Sequence, residues 1–472
     1  MPILAWLALA AAGLLRAQDF PNQADAVFAE RPFANAVVGA QFVAVADGTA
    51  AYSRNPDLAL VPASTAKLAS SAAALMRLKP DFRFTTILLT EKKDQGKRSL
   101  ATLIWRGQGD PSISGRGRAS LDEIFEIWAD SLTAAGVRRV KRLVLDGRYF
   151  EGPVTVPAWP DQELSYWYQA QTSAISFNDN CVDLEVRPAS RSGRLPAIKL
   201  TPDFGYIRVL NQAVTGRGLP HLDYRREPGT NTVRFFGYIP PGPPYRDFVS
   251  VHDPARFAAE ALRRVWKRKG LRVGKIVSWE DAGLREESLA PILTWRSQPL
   301  AEIIKIINKN SQNFYAEQLL RTLGKEAAGR GSFEAGLGVV AAFLREAGLA
   351  ESSFHLVDGC GLSEQDRFTA DGLVRVLRHM RATPYFTVYY ESLAAPGVDR
   401  AAKGRMKADP LAAGMRLKRG TVGNARNLAG YLKSKSGKLY AFAILVNGAN
   451  LDRPAVDEAL DRICLAAAHR LP

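Results

Sequence analysis

Leu60-Val61-Pro62-Ala63-Ser64-Thr65-Ala66-Lys67-Leu68 sets a serine at the mouth of an Ala- and Leu-rich run that reads as a helix from Ala66 to Leu78. Residues three apart share a helix face, so the Lys67 amine is within reach of the Ser64 hydroxyl. A serine beside a base is the minimum for covalent acyl transfer. The unpaired N–H groups of a helix start also suit a developing oxyanion. Alone, the pattern decides nothing: Ser-x-x-Lys is expected by chance about once in a chain this long. A capping serine followed by a solvated lysine would read the same way.

The rest of the chain supplies the context. Its 472 residues imply two to four domains. The formal charge of +16 suits anionic partners. The basic residues are scattered, however, and the densest run, Lys267-Arg268-Lys269, closes an amphipathic helix. No zinc-finger spacing and no aromatic-basic RNA motif occurs, so nucleic acid is not an expected partner. Three cysteines (Cys181, Cys360, Cys464) make no disulfide framework, and the five histidines have no metal-ligand spacing. No metal or cofactor is expected. Ile3 to Leu15 is an uncharged apolar run of signal-peptide length, with Ala17 as the cleavage point, so residues 1–17 are read as an export signal. The mature protein is then expected outside the cytoplasm.

In chain order, Val37–Ala46 and Ala50–Ser53 read as a hairpin across Asp47-Gly48. A region of short strand-like runs follows the Ser64 helix. Pro240-Pro241-Gly242-Pro243-Pro244 reads as its clearest linker. Helices follow, then strands at Asn427–Lys433 and Leu439–Val446, and a last helix after Asp452. One antiparallel sheet combining the first and last strands, flanked by helices, explains this order, with the middle region inserted.

Two further motifs accompany Ser64-x-x-Lys67. Asn308-Lys-Asn-Ser-Gln-Asn313 is placed at a helix start, and Lys418-Arg-Gly-Thr421 lies in an apparent strand. The order Ser-x-x-Lys, Ser-x-Asn, Lys-x-Gly is that of penicillin-recognising serine acyl transferases. With Asp358-Gly-Cys-Gly-Leu-Ser363, Leu428-Ala-Gly-Tyr431, Gly109-Asp-Pro111 and Ser173–Asn180, the chain resembles the class C low-molecular-mass penicillin-binding proteins. These are D-alanyl-D-alanine carboxypeptidases/endopeptidases of family 4 type.

The resemblance implies an α/β (α+β) chain with a serine β-lactamase/transpeptidase-like domain. An antiparallel sheet would be flanked by helices, and two β-rich domains inserted. The implied division gives the transpeptidase-like domain residues 18–79 and 292–472. One inserted domain takes 80–170 and 247–291, with a nested β-rich domain at 171–246.

The resemblance also implies a hydrolase acting on peptidoglycan stem peptides and acylated by β-lactams. Ser64 is the implied nucleophile, Lys67 its base and Ser311 the proton relay. Asn313, Lys418, Arg419, Gly420, Thr421 and Arg367 are the implied substrate-binding residues. The backbone N–H groups of Ser64 and Thr421 are implied for the oxyanion hole. A wall- or membrane-surface association is consistent with the charge. Two positions depart from the family pattern. Arg419 stands where threonine is usual, and either binds the substrate carboxylate in its place or fills the pocket. Cys360 stands where serine is usual. A β-lactamase or esterase of the same serine-lysine type, and a wall-binding protein weakened by Arg419, are the competing readings.

Overall fold

The computed structural model describes residues 20–116, 118–217 and 221–472. The export segment expected at 1–17 lies outside them. The chain forms two compact units. One comprises Met1–Phe82, Pro299–Gly329 and Phe333–Pro472; the other comprises Arg83–Gln298 and Arg330–Ser332.

The first unit is built on a five-stranded sheet. Its strands run in the order Arg416–Val422, Ala425–Lys433, Leu439–Gly448, Ala36–Ala44, Ala50–Arg54. Every neighbouring pair is antiparallel. The hairpin at the front of the chain therefore completes a sheet begun at its end. Side chains alternate across a strand, so each strand feeds two layers. Val38, Ala40, Phe42 and Ala44 pack with Phe442, Ile444 and Val446 against Val456, Leu460, Ile463 and Cys464 of the last helix, Arg453–Arg470. Gly39 faces the other way, toward Ala370 at the head of helix Ala370–Arg381.

Helix Lys67–Leu78 (KLASSAAALMRL) is buried over its first nine residues. Its alanines favour the helix, and with the serines they leave no bulky face, so neighbouring helices approach it closely. Among them is Asn313–Ala328, buried from Asn313 to Gly324. Burial on this scale makes Lys67–Leu78 the central helix of the layer that carries the first two motifs.

The second unit holds a five-stranded mixed sheet, ordered Arg272–Ser278, Arg139–Asp146, Ser99–Gly107, Thr85–Glu91, Leu289–Arg296. Trp105, Trp128 and Trp266 are fully buried in its core. Cys181–Arg187, Ala197–Thr201 and Tyr245–Ser250 form a separate three-stranded antiparallel sheet. Pro240–Pro244 is not a linker before helices, as its composition suggests. It joins strand Thr232–Ile239 to strand Tyr245–Ser250, inside the unit. Tyr245–Ser250 has too little hydrophobic alternation to stand out; its ladder with Cys181–Arg187 makes it a strand.

Candidate active site

Ser64 lies in a 3-10 turn, Ala63–Ala66, that runs directly into the helix beginning at Lys67. Ala63 has φ +46°, a strained conformation for a residue with a Cβ. Neighbouring groups hold it there. Asn447 Oδ1 accepts from the Val61 N–H at 2.7 Å. Asn427 Nδ2 donates to the Val61 carbonyl at 2.9 Å. On the other side, a Cβ at Gly361 would meet the Ala63 carbonyl at 1.9 Å, so only glycine fits this approach.

Lys67 is fully buried. Its Nζ lies 2.9 Å from Ser64 Oγ, 2.7 Å from Asn313 Oδ1 and 2.7 Å from the Cys360 carbonyl. The last two are carbonyl oxygens, which only accept. A neutral amine spends its two hydrogens on them and aims its lone pair at the serine hydroxyl. Burial lowers the Lys67 pKa, while Asp358, Glu317 and Asp366 pull it back up.

Those three carboxyl groups form a buried floor, in which Asp366 Oδ1 accepts from the Val357 N–H at 2.7 Å. Asp358 Oδ1 accepts from the N–H groups of Cys360 and Gly361, and its Oδ2 from those of Leu362 and Ser363. One carboxylate thus shapes the loop that presents the Cys360 carbonyl to Lys67. Glu317 binds the Gly359 N–H through both oxygens, at 2.9 and 3.1 Å. Burial, with the nearby charge of Asp358, raises Glu317 to about 8 and Asp366 to about 10. The Cys360 thiol is buried and its pKa is raised well above the ordinary range, which makes it a packed, unreactive group.

The second motif straddles two helices instead of starting one. Asn308 and Asn310 end helix Leu300–Asn310, and Asn313 begins helix Asn313–Ala328. Ser311 makes the corner in a left-handed conformation, φ 56° and ψ 39°. The sequence reading placed the motif at the start of a helix; the preceding helix in fact runs on through Asn310. The corner sets Asn313 against Lys67 and Ser311 against Lys418, whose Nζ lies 3.0 Å from Ser311 Oγ.

Lys418 sits on the edge strand Arg416–Val422 and is only 2% exposed. Its other partner is the Arg419 carbonyl at 2.9 Å. Burial lowers its pKa far below the usual lysine value, and the charges of Lys67 and Arg419 lower it further. Leu417 exchanges both backbone bonds with Ala394 across the open edge of this strand. Backbone direction repeats every second residue along a strand, so Arg419 and Thr421 present their N–H and C=O groups to the same edge. Gly420 lies against the nucleophile turn: a Cβ there would come within 2.7 Å of the Pro62 carbonyl.

The Arg419 side chain goes elsewhere. Nη1 donates to the Ala401 carbonyl at 2.8 Å, and Nη2 lies 3.4 Å from Asp457. Asp457 also takes Arg405 and Arg426, and Arg405 reaches Asp461. Arg419 thus belongs to an ion cluster on the last helix, with its guanidinium already engaged. Thr421 is exposed, and its Oγ1 accepts from Arg426 Nη1 at 2.7 Å. Arg367 is exposed and donates to the Glu364 and Asp366 carbonyls at 2.7 and 2.8 Å.

The structure therefore brings Ser64, Lys67 and Asn313 into one hydrogen-bonded group and Ser311 and Lys418 into a second, with the Lys67 charge near enough to act on Lys418. Sequence reasoning assigned no role to Asn427, Asn447, Glu317 or Asp366, and none to Asp358 beyond its motif. The available signal was Asp358-Gly-x-Gly361, an acid followed by residues that free the backbone to wrap around it.

The D-alanyl-D-alanine carboxypeptidase of Actinomadura sp. (strain R39) is 30% identical, over 98% of this chain and 88% of its own length. The D-alanyl-D-alanine carboxypeptidase DacB of Haemophilus influenzae is 26% identical, over 82% of this chain and 81% of its own. Among solved structures, penicillin binding protein 4 (dacB) from Haemophilus influenzae superposes with a TM-score of 0.81. The match covers 92% of this chain and 97% of that one, at 22% identity, and so speaks for the fold. The family model described as the D-Ala-D-Ala carboxypeptidase 3 (S13) family matches residues 22–469. The chain belongs to the D-Ala-D-Ala carboxypeptidase 3 (S13) family.

Proposed function

We propose that this enzyme, a serine-type D-Ala-D-Ala carboxypeptidase that binds penicillin, uses Ser64 as its acylated nucleophile on peptidoglycan stem peptides. The observation that carries the reading is the buried Lys67 amine at 2.9 Å from Ser64 Oγ, with its other two partners both acceptors. Neutral Lys67 takes the Ser64 proton as Oγ attacks the carbonyl of the terminal D-Ala-D-Ala bond. The Ser64 and Thr421 N–H groups stabilise the oxyanion. Ser311, held by Lys418, passes a proton to the departing amine, and the C–N bond breaks. The resulting ester on Ser64 is hydrolysed by water, which returns free Ser64 and the shortened stem peptide.

Two buried amines facing one small site do not both keep a proton cheaply. The substrate brings its own answer, a C-terminal carboxylate. Bound near Lys418 and Thr421, it favours charge on Lys418 and leaves Lys67 neutral as the base. The same geometry accepts a D-Ala–diaminopimelate cross-link, which makes the enzyme a DD-endopeptidase as well. Arg367 binds the free end of the longer stem. The chain acts outside the cytoplasm, where its substrate is, and its basic surface holds it to the anionic wall.

The test is direct. Purified protein and its Ser64→Ala variant are incubated with fluorescent penicillin, then with a D-Ala-D-Ala pentapeptide and a cross-linked muropeptide. The reading requires a Ser64-dependent adduct together with D-Ala release. Rapid penicillin turnover without peptide cleavage would make it a β-lactamase instead.

A further inference from the structure

The usual threonine of the third motif is replaced by Arg419, yet Arg419 is occupied by Ala401 and Asp457. A different arginine touches the motif. Arg426 lies directly across the ladder from Thr421. All three of its nitrogens are spent on two neighbours. Nε donates to Asp457 Oδ1 at 3.0 Å, and Nη2 bonds Asp457 Oδ2. Nη1 donates to Thr421 Oγ1 at 2.7 Å. Its side chain is 13% exposed, against 33% for Arg419.

A hydroxyl has one hydrogen and two lone pairs. Once Oγ1 accepts from a guanidinium, its hydrogen turns away from that cation. The bidentate grip of Asp457 fixes the guanidinium plane, and with it the side of Thr421 Oγ1 that is taken up as acceptor. The hydroxyl keeps its hydrogen for a partner other than Arg426, and its donor polarity is strengthened by the cation behind it. A donor at an open strand edge, backed by positive charge, recognises an anion.

Resting on the reading above, we infer that Arg426 is a positioning residue for substrate specificity. It orients the Thr421 hydroxyl toward the substrate's C-terminal carboxylate, the task left open by Arg419. Asp457 fixes Arg426, which fixes Thr421. The Arg419 guanidinium itself is held by Ala401 and Asp457.

The experiment compares a D-Ala-D-Ala peptide acid with the same peptide as its C-terminal carboxamide, using the full chain. The wild type prefers the acid. Arg426→Gln lowers kcat/KM for the acid about tenfold, mainly through KM, and changes the carboxamide less than about twofold. Arg426→Lys, which keeps the charge but loses the fork, falls between. Thr421→Val reproduces the loss, and adding Arg426→Gln to it costs nothing more. Equal losses on both substrates, an unchanged acid-to-amide ratio, or additive losses in the double variant would each overturn the inference. Stoichiometric penicillin labelling of Ser64 in Arg426→Gln shows that the fold and nucleophile are intact. Absence of that adduct in the wild type would instead overturn the underlying reading.

Discussion

Lys67 and Lys418 are both buried, and they are buried on opposite terms. Lys67 has three hydrogen-bonding partners and a floor of carboxyl groups behind it. Lys418 has one hydroxyl and one backbone carbonyl, and the charges that lower its pKa are cations. A buried amine without a counter-charge is costly to ionise. The Lys67 side is complete in itself. The Lys418 side is completed by an anion, which is what the end of a stem peptide supplies. The contrast separates a proton-moving lysine from a charge-receiving one, although both stand beside a serine.

The strongest way to break this contrast is to remove the base. Lys67→Arg keeps a cation but gives up a removable proton, and acylation by penicillin should fall about a thousandfold in stopped-flow measurements. Lys418→Gln should cost about a hundredfold in kcat/KM on a peptide acid and much less on its carboxamide. Equal losses on the two substrates would erase the distinction between the lysines.

The floor under Lys67 gives two smaller tests. Asp358→Asn replaces an acceptor of four backbone N–H groups by an amide that competes with them as a donor. Denaturant unfolding should show a loss of about 3 kcal/mol. A loss under about 1 kcal/mol would mean the loop is held by other contacts. Asp366 gives the smallest effect, and it depends on pH. Its folded pKa, about 10, lies above the unfolded value. The stability held by its neutral form is fully present below about pH 4 and is lost as pH rises toward the folded value. Asp366→Asn should therefore flatten the decline of Tm between about pH 6 and about pH 9. An unchanged slope would place the titration elsewhere, Glu317 being the other raised carboxyl of this floor.

Much of this site was legible in the sequence because it sits at element boundaries marked by short motifs. Ser64 and Lys67 are a helix turn apart, and helical geometry alone brings them together. The shared sheet was legible from order, since a hairpin without partners at one end matches two strands at the other. What was not legible depends on long-range placement. Nothing local says that Asn427 and Asn447 hold the Val61 backbone, because each lies on a strand far from it in sequence. Arg419 looked like a carboxylate ligand by motif position. The structure shows its guanidinium drawn to Asp457, a residue that no motif includes. Asn308 to Asn310 were placed with the following helix because the break falls at a left-handed serine, which leaves no compositional mark. The proline-rich 240–244 stretch misled in the opposite sense, since strong turn residues there join two strands inside one unit.

The central claim is that Lys67 is the neutral base of Ser64. The rate of penicillin acylation, followed by intact-protein mass spectrometry across pH, tests it most directly. The account predicts an adduct confined to Ser64, whose rate rises with pH through a group titrating below the ordinary lysine range, and loss of that rise in Lys67→Arg. An adduct on Ser64 that forms equally fast in Lys67→Arg, or with the same pH profile, would contradict it.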